Sequence, residues 1–325
     1  MLSVLLCCLV VQAPPQKVTY AAGYIANVQF APFYVAQQRG YYAEEGLELE
    51  MDYTIGPDIF KLLALGKVQF ASADPDAFLH AASRGMPLLH VATLYQRYPL
   101  ALVAREDLFR DGRLEGKRIG ISGTYGSSYL ALKAMLRELG LPLAKVQVVS
   151  IGFTQVSALK QNRVDAVVGY INNEPLRLKA LDVDVKTYSL SANNQIPGVG
   201  IMTHRDLKAK NPELVEKFLR ATFRAVADLL ADPRACYNLV VNEVLPELKQ
   251  AERYESEFAV LQATLPFWRS AHVAANGFGQ CDEKQWQNLA RHMAEGHAKS
   301  AFSSWRKWVD LGFRHRAPVT PPAGK

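Results

Sequence analysis

The chain lacks the sequence patterns that mark most enzymes and metalloproteins. It has 325 residues but only four cysteines, and none of these stands at a CxxC or Cys/His spacing, so a structural zinc site is not expected. No GxSxG, HExxH or Walker A sequence occurs, and there is no paired-carboxylate motif. These absences predict a protein that is not an enzyme and that carries no metal and no cofactor.

Histidine is also scarce, with seven residues in the chain. His292 and His297 lie near the C-terminus at a spacing that does not place them on one face of a helix. The spacing predicts two solvent-exposed side chains on a C-terminal surface helix.

The chain has no concentrated positive charge, although its formal net charge is +6. Lys and Arg are spread along the sequence without the basic run typical of nucleic-acid binding, so nucleic acid is not expected as a partner. The hydrophobic fraction of 49% and the charged fraction of 21% are close to those of soluble globular proteins. The length suffices for two α/β lobes, because domains of about 100–150 residues are common.

The N-terminus carries a short apolar run, Leu2–Val11. It has the length of the apolar part of a signal peptide and is too short to cross a bilayer about 30 Å thick as a helix. Residues 1–16 are therefore expected to be a signal or anchor segment that directs export to the periplasm or the outer face of the membrane, although no basic stretch precedes the run. The Leu-Leu-Cys-Cys sequence ending at Cys8 leaves a lipid anchor open as an alternative. Cys236 and Cys281 remain as a candidate disulfide pair.

From Val18 onward, short β-branched or apolar runs alternate with longer segments of helical period, which is typical of an α/β fold with a largely parallel sheet. The predicted strands are Val18–Ala21, Leu47–Tyr53, Gln69–Ala73, Leu88–Leu94, Leu100–Ala104, Lys117–Ile121, Val146–Val149, Ala166–Gly169, Val185–Ser189 and Gly200–Thr203. The predicted helices are Pro32–Arg39, Ile59–Leu65, Asp76–Arg84, Ser127–Leu139, Thr154–Gln161, Glu174–Ala180 and Pro212–Ala231, the last with Asn211 as its N-cap.

The strands Leu100–Ala104 and Gly200–Thr203 flank a self-contained stretch, which suggests a second lobe inserted into the first. The predicted division is 17–103 plus 203–317 for lobe 1, 104–202 for lobe 2, and 318–325 for a C-terminal tail. A lobe joined through two neighbouring connections can hinge around a ligand. The ligand cleft is expected between the lobes, at the carboxyl ends of the strands.

Polar and aromatic side chains are interleaved after the first strands of the predicted first lobe. The residues predicted to contact a ligand there are Asn27, Gln29, Phe30, Tyr34, Ser72, Asp74, Tyr95 and Gln96. Amide groups beside aromatic rings suit a flat heterocycle with donors and acceptors on its edges. Packing in the core remains the alternative for Phe30, and turn or N-cap chemistry remains the alternative for Ser72 and Asp74.

Two further segments of the predicted second lobe follow buried strands. The glycine turn contributes Gly123, Thr124, Tyr125, Gly126 and Ser127, and the segment after Gly169 contributes Tyr170, Asn172, Asn173 and Glu174. Free N–H groups at a helix start attract a carbonyl oxygen or an anion, and a carboxylate accepts hydrogen bonds from amines or hydroxyls. Helix capping by Ser127 or Asn173 remains the structural alternative, and Glu174 could act only on the helix dipole.

The phrases GYIANVQFAPFYVAQQRGYYAEEGL, LYQRYPLALVA, LEGKRIGISGTYGSSYLAL and DAVVGYINNEP resemble the periplasmic substrate-binding proteins of the thiamine-pyrimidine-precursor and sulfonate type, and within them the riboflavin-binding branch. The similarity runs from about Val18 to Ala231. It implies a type II periplasmic-binding fold with two hinged lobes, an ABC-type permease and ATPase as partners, and a flavin or pyrimidine ligand held between aromatic rings. That branch often has tryptophan where Leu94 stands, and the chain beyond Gly279 departs from it.

Other members of this fold group require features that the sequence does not contain. A thiamine-pyrimidine synthase needs a cysteine-rich iron-binding motif, and a LysR-type regulator needs an N-terminal helix-turn-helix. Sulfonate or nitrate carriers would place Arg or Lys near the glycine turn. The sequence therefore favours an uncharged aromatic heterocycle and leaves open the choice between riboflavin and a thiamine pyrimidine.

Overall fold

The computed structural model describes residues 14–55, 58–105, 108–110, 113–124, 126–294 and 302–316. The strands in these residues are β1 Gln16–Gly23, β2 Leu47–Ile55, β3 Phe70–Ala73, β4 Leu88–Thr93, β5 Leu100–Ala104, β6 Arg118–Ile121, β7 Gln147–Ser150, β8 Ala166–Tyr170, β9 Lys186–Ser189 and β10 Gly200–His204. Each predicted strand is present within a few residues of its predicted bounds. Within the described ranges, no helix is long and apolar enough to span a bilayer.

The α-helices surround these strands, and each of the seven predicted helices is present. They are α1 Ala31–Gln38, α2 Tyr41–Glu44, α3 Asp58–Ala64, α4 Pro75–Ser83, α5 Ser127–Glu138, α6 Gln155–Lys160, α7 Glu174–Lys179, α8 Arg205–Lys210, α9 Pro212–Ala231, α10 Pro233–Glu243, α11 Ala251–Thr264, α12 Ala271–Asn276 and α13 Glu283–Ala294.

The strands form two five-stranded sheets. The first has the order β2-β1-β3-β10-β4 and the second has the order β7-β6-β8-β5-β9. The prediction of a largely parallel sheet is confirmed, since four strands of each sheet point the same way, but one strand in each is reversed: β10 runs antiparallel to β3 and β4, and β5 runs antiparallel to β8 and β9. These are the two strands by which the chain enters the second sheet and returns to the first, so both sheets are mixed.

Sheet membership locates the two crossings between the sheets. Strand β5 already belongs to the second sheet, and β10 belongs to the first. The chain therefore crosses between β4 and β5 and returns between β9 and β10. The lobe boundaries given above stay a prediction.

Strong burial explains why the central strands have unbroken apolar sequences. Every residue of β5 is buried, as expected for a strand covered on both faces. Helix α9 covers the first sheet with an apolar face, and the ring of Phe218 stacks on Phe70 with centroids 3.9 Å apart. The predicted start of α9 is confirmed, since Asn211 Oδ1 accepts a hydrogen bond of 3.1 Å from the backbone N–H of Leu214 and Pro212 is the first helical residue.

The C-terminal helices contact segments of both sheets. The side-chain amide of Asn172, which follows β8, donates a hydrogen bond of 2.8 Å to Thr264 at the end of α11. Arg177 of α7 forms an ion pair of 2.7 Å with Glu257 of α11. In the first sheet, the backbone N–H of Thr93 donates to the carbonyl of Gly279 at 2.9 Å. Gly279, at which the divergent segment begins, is thus paired with the first sheet.

The expected exposure of His292 is wrong, and the candidate disulfide between Cys236 and Cys281 is not formed. His292 is buried rather than exposed, because α13 packs against α4 and α5, and burial lowers the pKa of the imidazole; His297 lies outside the described residues. Cys236 and Cys281 are both buried free thiols and not a disulfide. Burial raises the pKa of Cys236 to about 11 and that of Cys281 to about 12.

Candidate functional site

A cavity of about 890 Å³ lies between the two sheets. Its walls come from residues at the carboxyl ends of β1, β3, β6 and β8 and from the first turns of α4 and α5. This volume lies within the range of about 300–1,000 Å³ that is usual for small-molecule sites. The carboxyl ends of the strands therefore meet at a space suited to a ligand, as expected for open α/β sheets.

Twelve of the predicted ligand contacts line this cavity. They are Asn27, Gln29, Phe30, Ser72, Asp74, Tyr95, Thr124, Gly126, Ser127, Tyr170, Asn173 and Glu174. The structure therefore brings together residues from four of the segments predicted after strands of the two sheets, and Tyr95 from the crossing between β4 and β5.

Two carboxyl groups in the cavity, those of Asp74 and Asp76, accept hydrogen bonds from hydroxyls on the opposite sheet's segments. Tyr170 Oη donates to Asp74 Oδ1 at 2.8 Å, and Ser127 Oγ donates to Asp76 Oδ1 at 2.8 Å. A third hydroxyl, Tyr98 Oη, donates to the same Asp76 oxygen at 3.3 Å. These bonds connect the start of α4 to the end of β8 and the start of α5, so the carboxyl pair joins the two walls of the cavity.

Burial governs the protonation of this pair. The side chain of Asp76 is only 4% exposed, and burial together with the negative charge of Asp74 raises the pKa of Asp76 to about 7. Burial also raises the pKa of Asp74, against the lowering effect of the Tyr170 and Ser127 hydroxyls. Two neighbouring carboxyls do not ionise independently, because each negative charge opposes the other.

The turn after β8 places a third carboxyl in the cavity wall. Glu174 accepts a hydrogen bond of 2.6 Å from the backbone N–H of Tyr170, and burial raises the pKa of Glu174. Gly169 makes room for it, since a Cβ there would lie 2.9 Å from Glu174 Cγ. Asn173 is the residue before α7 but makes no capping bond; its Oδ1 accepts from Arg177 Nε at 2.6 Å.

The loop after β1 forms the side of the cavity nearest the first sheet. Asn27 caps the short 3-10 helix Val28–Phe30 by accepting a bond of 2.8 Å from the backbone N–H of Gln29. The amide of Gln29 reaches the hydroxyl of Tyr95 at 3.5 Å. The side-chain oxygen of Asn27 therefore has a structural role as a helix cap. The Gln29 amide and the Tyr95 ring line the cavity, where they can contact a ligand.

Aromatic rings from both sheets meet at the cavity mouth. The rings of Tyr24 and Phe153 pack edge to face with centroids 5.7 Å apart. Tyr24 follows β1 and Phe153 follows β7, so this contact also spans the two sheets. Phe153 is 62% exposed and lines the cavity, so its ring is accessible to a ligand.

The glycine turn before α5 combines backbone freedom with hydroxyl contacts. Gly126 adopts φ +75°, a conformation that side-chain-bearing residues rarely adopt. Helix α5 begins at Ser127, whose hydroxyl bonds to Asp76 instead of capping the helix. The hydroxyls of Ser122 and Ser128 lie 2.6 Å apart and close the turn.

Comparison with known proteins places the chain in a family. A family model described as NMT1/THI5 like matches residues 27–236. The chain belongs to the NMT1/THI5-like family. The riboflavin-binding protein RibY of Chloroflexus aurantiacus is 38% identical over 291 residues, which cover 88% of this chain and 82% of that protein. The 4-amino-5-hydroxymethyl-2-methylpyrimidine phosphate synthase of Legionella pneumophila is 26% identical, covering 85% of each chain.

The structural comparison identifies the fold of this NMT1/THI5-like chain. The periplasmic aliphatic sulphonate binding protein SsuA from Escherichia coli superposes with a TM-score of 0.66 and 16% sequence identity, covering 90% of this chain and 98% of that chain. The expected periplasmic-binding-protein fold with two lobes is thereby confirmed.

Four residues predicted to contact a ligand do not line the cavity in the described part of this NMT1/THI5-like chain: Tyr34, Gln96, Gly123 and Asn172. Tyr34 lies on the buried face of α1, where its hydroxyl bonds to that of Tyr53 at 3.0 Å. Gln96 is buried and donates to the carbonyl of Gln280 at 2.8 Å. Asn172 is held by Thr264. Tyr34 and Gln96 are therefore bonded inside the fold, whereas the buried Asn172 Oδ1 has no hydrogen-bond partner among the described residues. Tyr125 lies outside the described residues.

Sequence reasoning missed several residues that line the cavity. Asp76 was not among the predicted ligand contacts, yet it lines the cavity, and its buried carboxyl accepts a hydrogen bond from the buried hydroxyl of Tyr98. Tyr24 and Phe153 were not singled out. The Asp-Pro-Asp sequence at Asp74 could have indicated Asp76, because a second carboxyl group so close to a cavity residue needs its own hydrogen-bond donors.

Proposed function

We propose that this chain is the extracytoplasmic substrate-binding component of an ABC-type uptake transporter and that its ligand is riboflavin. The observation that carries the proposal is the cavity between the two sheets, in which aromatic rings and hydrogen-bonding side chains line the same space. The similarity to RibY over most of both chains supports riboflavin over other heterocycles.

The lining matches the two chemical parts of a flavin. The rings of Phe30, Tyr95 and Tyr170 offer flat apolar surface for a fused heterocycle. The amide of Gln29 can bond to the donors and acceptors on the edge of such a ring. The carboxyls of Asp74 and Glu174 can accept bonds from the hydroxyls of a sugar-alcohol chain.

The proposed role is binding without chemical change. Ligand release would then pass the vitamin to a permease driven by an ATPase, which are the proposed partners. Export to the periplasm or the outer face of the cell membrane belongs to the same proposal. The alternative of a lipid anchor falls on residues outside the described ranges.

A pyrimidine precursor of thiamine is the second candidate. The three carboxyls of Asp74, Asp76 and Glu174 line the cavity, and carboxyl groups bind the exocyclic amine of an aminopyrimidine well. The same carboxyls disfavour a sulfonate or nitrate, because an anion would enter a site that already holds buried negative charge.

Fluorescence titration tests the proposal. Purified protein is titrated into riboflavin, and binding is read from quenching of the flavin emission; calorimetry with 4-amino-5-hydroxymethyl-2-methylpyrimidine and with an alkanesulfonate is run on the same sample. Saturable quenching at micromolar protein supports riboflavin. Heat from the pyrimidine alone would support the second candidate, and heat from the sulfonate alone would contradict both.

A further inference from the structure

We propose that the carboxyl pair Asp74 and Asp76 restricts the cavity to ligands that offer hydroxyl or amine donors and carry no phosphate, so that riboflavin is bound and its 5′-phosphate ester is rejected. This inference rests on the proposed function and assigns the ligand form that the site selects. It concerns the chemistry of the cavity wall rather than its shape.

The hydrogen bonds of the pair show what kind of group it accepts. Tyr170 donates to one oxygen of Asp74 at 2.8 Å. Ser127 donates to one oxygen of Asp76, also at 2.8 Å, and Tyr98 donates to the same oxygen of Asp76. All three partners are neutral hydroxyl donors. A hydroxyl or amine of the ligand could donate a further hydrogen bond to the other carboxyl oxygen. An ionised phosphate oxygen can only accept hydrogen bonds, so it cannot make this contact with a carboxylate.

Charge adds to this mismatch. A phosphate ester carries between one and two negative charges near neutrality, and Glu174 adds a third carboxyl to the same wall. One carboxyl of the pair stays ionised while the other holds a proton, because the charge of Asp74 is what opposes ionisation of Asp76. Repulsion between this charge and a phosphate is strong where water is displaced, because the effective dielectric constant is low. The donor mismatch and the charge repulsion therefore act in the same direction.

Cationic residues border the same cavity and must be weighed against the pair. They are Lys61, Arg84 and Lys133. Lys61 and Arg84 are exposed, so water and salt screen their attraction for a phosphate. The ammonium of Lys133 lies 4.9 Å from the ring centroid of Tyr129 and is directed to that ring. The buried carboxyls should therefore outweigh these cations.

The test compares two ligands that differ only in the phosphate. Riboflavin and riboflavin 5′-phosphate are each titrated by flavin fluorescence against the wild-type chain, Asp74→Asn, Asp76→Asn and the double variant. The wild type should bind riboflavin at least about tenfold more tightly than the phosphate ester. The ratio should fall in each single variant and approach one in the double variant, because asparagine keeps an oxygen for the Tyr170 or Ser127 hydroxyl but removes the charge.

Glu50→Gln is the matched control, since Glu50 is an exposed carboxylate on β2 outside the cavity lining, and it should leave the ratio unchanged. The wild-type comparison does not depend on any variant being folded. Equal affinity of the wild type for both flavins would overturn the inference and leave flavin binding in place. Absence of binding by both flavins would overturn the proposed function instead.

Discussion

Tyr170 donates a hydrogen bond of 2.8 Å from its hydroxyl to Asp74 Oδ1. Tyr170 ends β8 of the second sheet, and Asp74 follows β3 of the first sheet. One short polar contact therefore joins the two walls of the cavity at the point where a ligand would lie.

Removal of this contact should weaken both the fold and the ligand site. Tyr170→Phe removes the phenol donor of the partly buried Asp74 carboxyl, and loss of a hydrogen bond to such a group costs about 1–3 kcal/mol. We expect the free energy of unfolding in urea to fall by that amount and riboflavin affinity to fall with it.

Tyr188→Phe is the control for this prediction. Its hydroxyl also donates to a carboxylate, Glu138 at 3.1 Å, but this pair lies outside the cavity lining. Loss of a half-exposed bond should cost less than about 1 kcal/mol and leave ligand affinity unchanged. Equal effects of the two variants on affinity would argue against a special role for the bond between Tyr170 and Asp74.

The stability of the ligand-free chain should depend on pH through Asp76. Burial and the charge of Asp74 raise its pKa from 3.8 to about 7, so the folded chain holds this proton more tightly than the unfolded chain. The stabilising contribution is complete below pH 3.8 and is lost as pH rises through about 7. Since this pKa is raised by about three units and each unit corresponds to about 1.4 kcal/mol, the loss should be roughly 4 kcal/mol.

Urea unfolding at several pH values checks this prediction in the wild type and in Asp76→Asn, whose side chain cannot titrate. The variant should lose less stability than the wild type between about pH 4 and about pH 7. Parallel pH profiles for the two proteins would show that Asp76 has an ordinary pKa.

The exposed ring of Phe153 should contribute to binding without contributing to stability. Phe153→Ala removes an exposed ring that lines the cavity, and stacking of such a ring on a flat heterocycle is worth about 0.5–1.5 kcal/mol. Riboflavin affinity should fall by roughly threefold to tenfold, with an unchanged melting temperature. Leu65→Ala is the matched control, because Leu65 is 72% exposed and lies outside the lining. A similar loss of affinity in both variants would refute a role for Phe153.

Gln96 should behave in the opposite way. Its buried amide donates to the carbonyl of Gln280 and accepts from Ser270 Oγ at 3.0 Å, so Gln96→Ala leaves polar groups unsatisfied at a cost of about 1–3 kcal/mol. Differential scanning calorimetry should show a lower melting temperature, while the riboflavin affinity of the folded protein stays the same. A selective loss of affinity would return Gln96 to the ligand site.

The sequence allowed the secondary structure to be predicted well, because alternation and helical period are local signals. Strands such as Leu100–Ala104 are short apolar runs, and Asn211 with Pro212 marks a helix start clearly. The direction of β5 and β10 could not be predicted, since it depends on how the chain passes between two sheets. The burial of His292 depends on the packing of α13 against distant helices and was missed for the same reason.

The sequence indicates which polar residues lie near the ends of strands, but it does not show which of them face the cavity. Asp74 and Tyr170 were found because both follow buried strands. Tyr34 and Gln96 occupy similar sequence positions but bond to Tyr53 and Gln280 inside the fold. The role of Asp76 in the cavity was not predicted, because its hydrogen-bond partners Tyr98 and Ser127 are 22 and 51 residues away in the sequence.

A crystal structure of the protein grown with riboflavin tests the central claim most directly. We predict electron density for the flavin in the cavity between the sheets, with its ring beside Tyr95 and Tyr170 and its hydroxyl chain within hydrogen-bond distance of a carboxyl group. Crystals grown at saturating flavin in which that cavity holds no flavin, or in which the flavin lies elsewhere on the molecule, would contradict it.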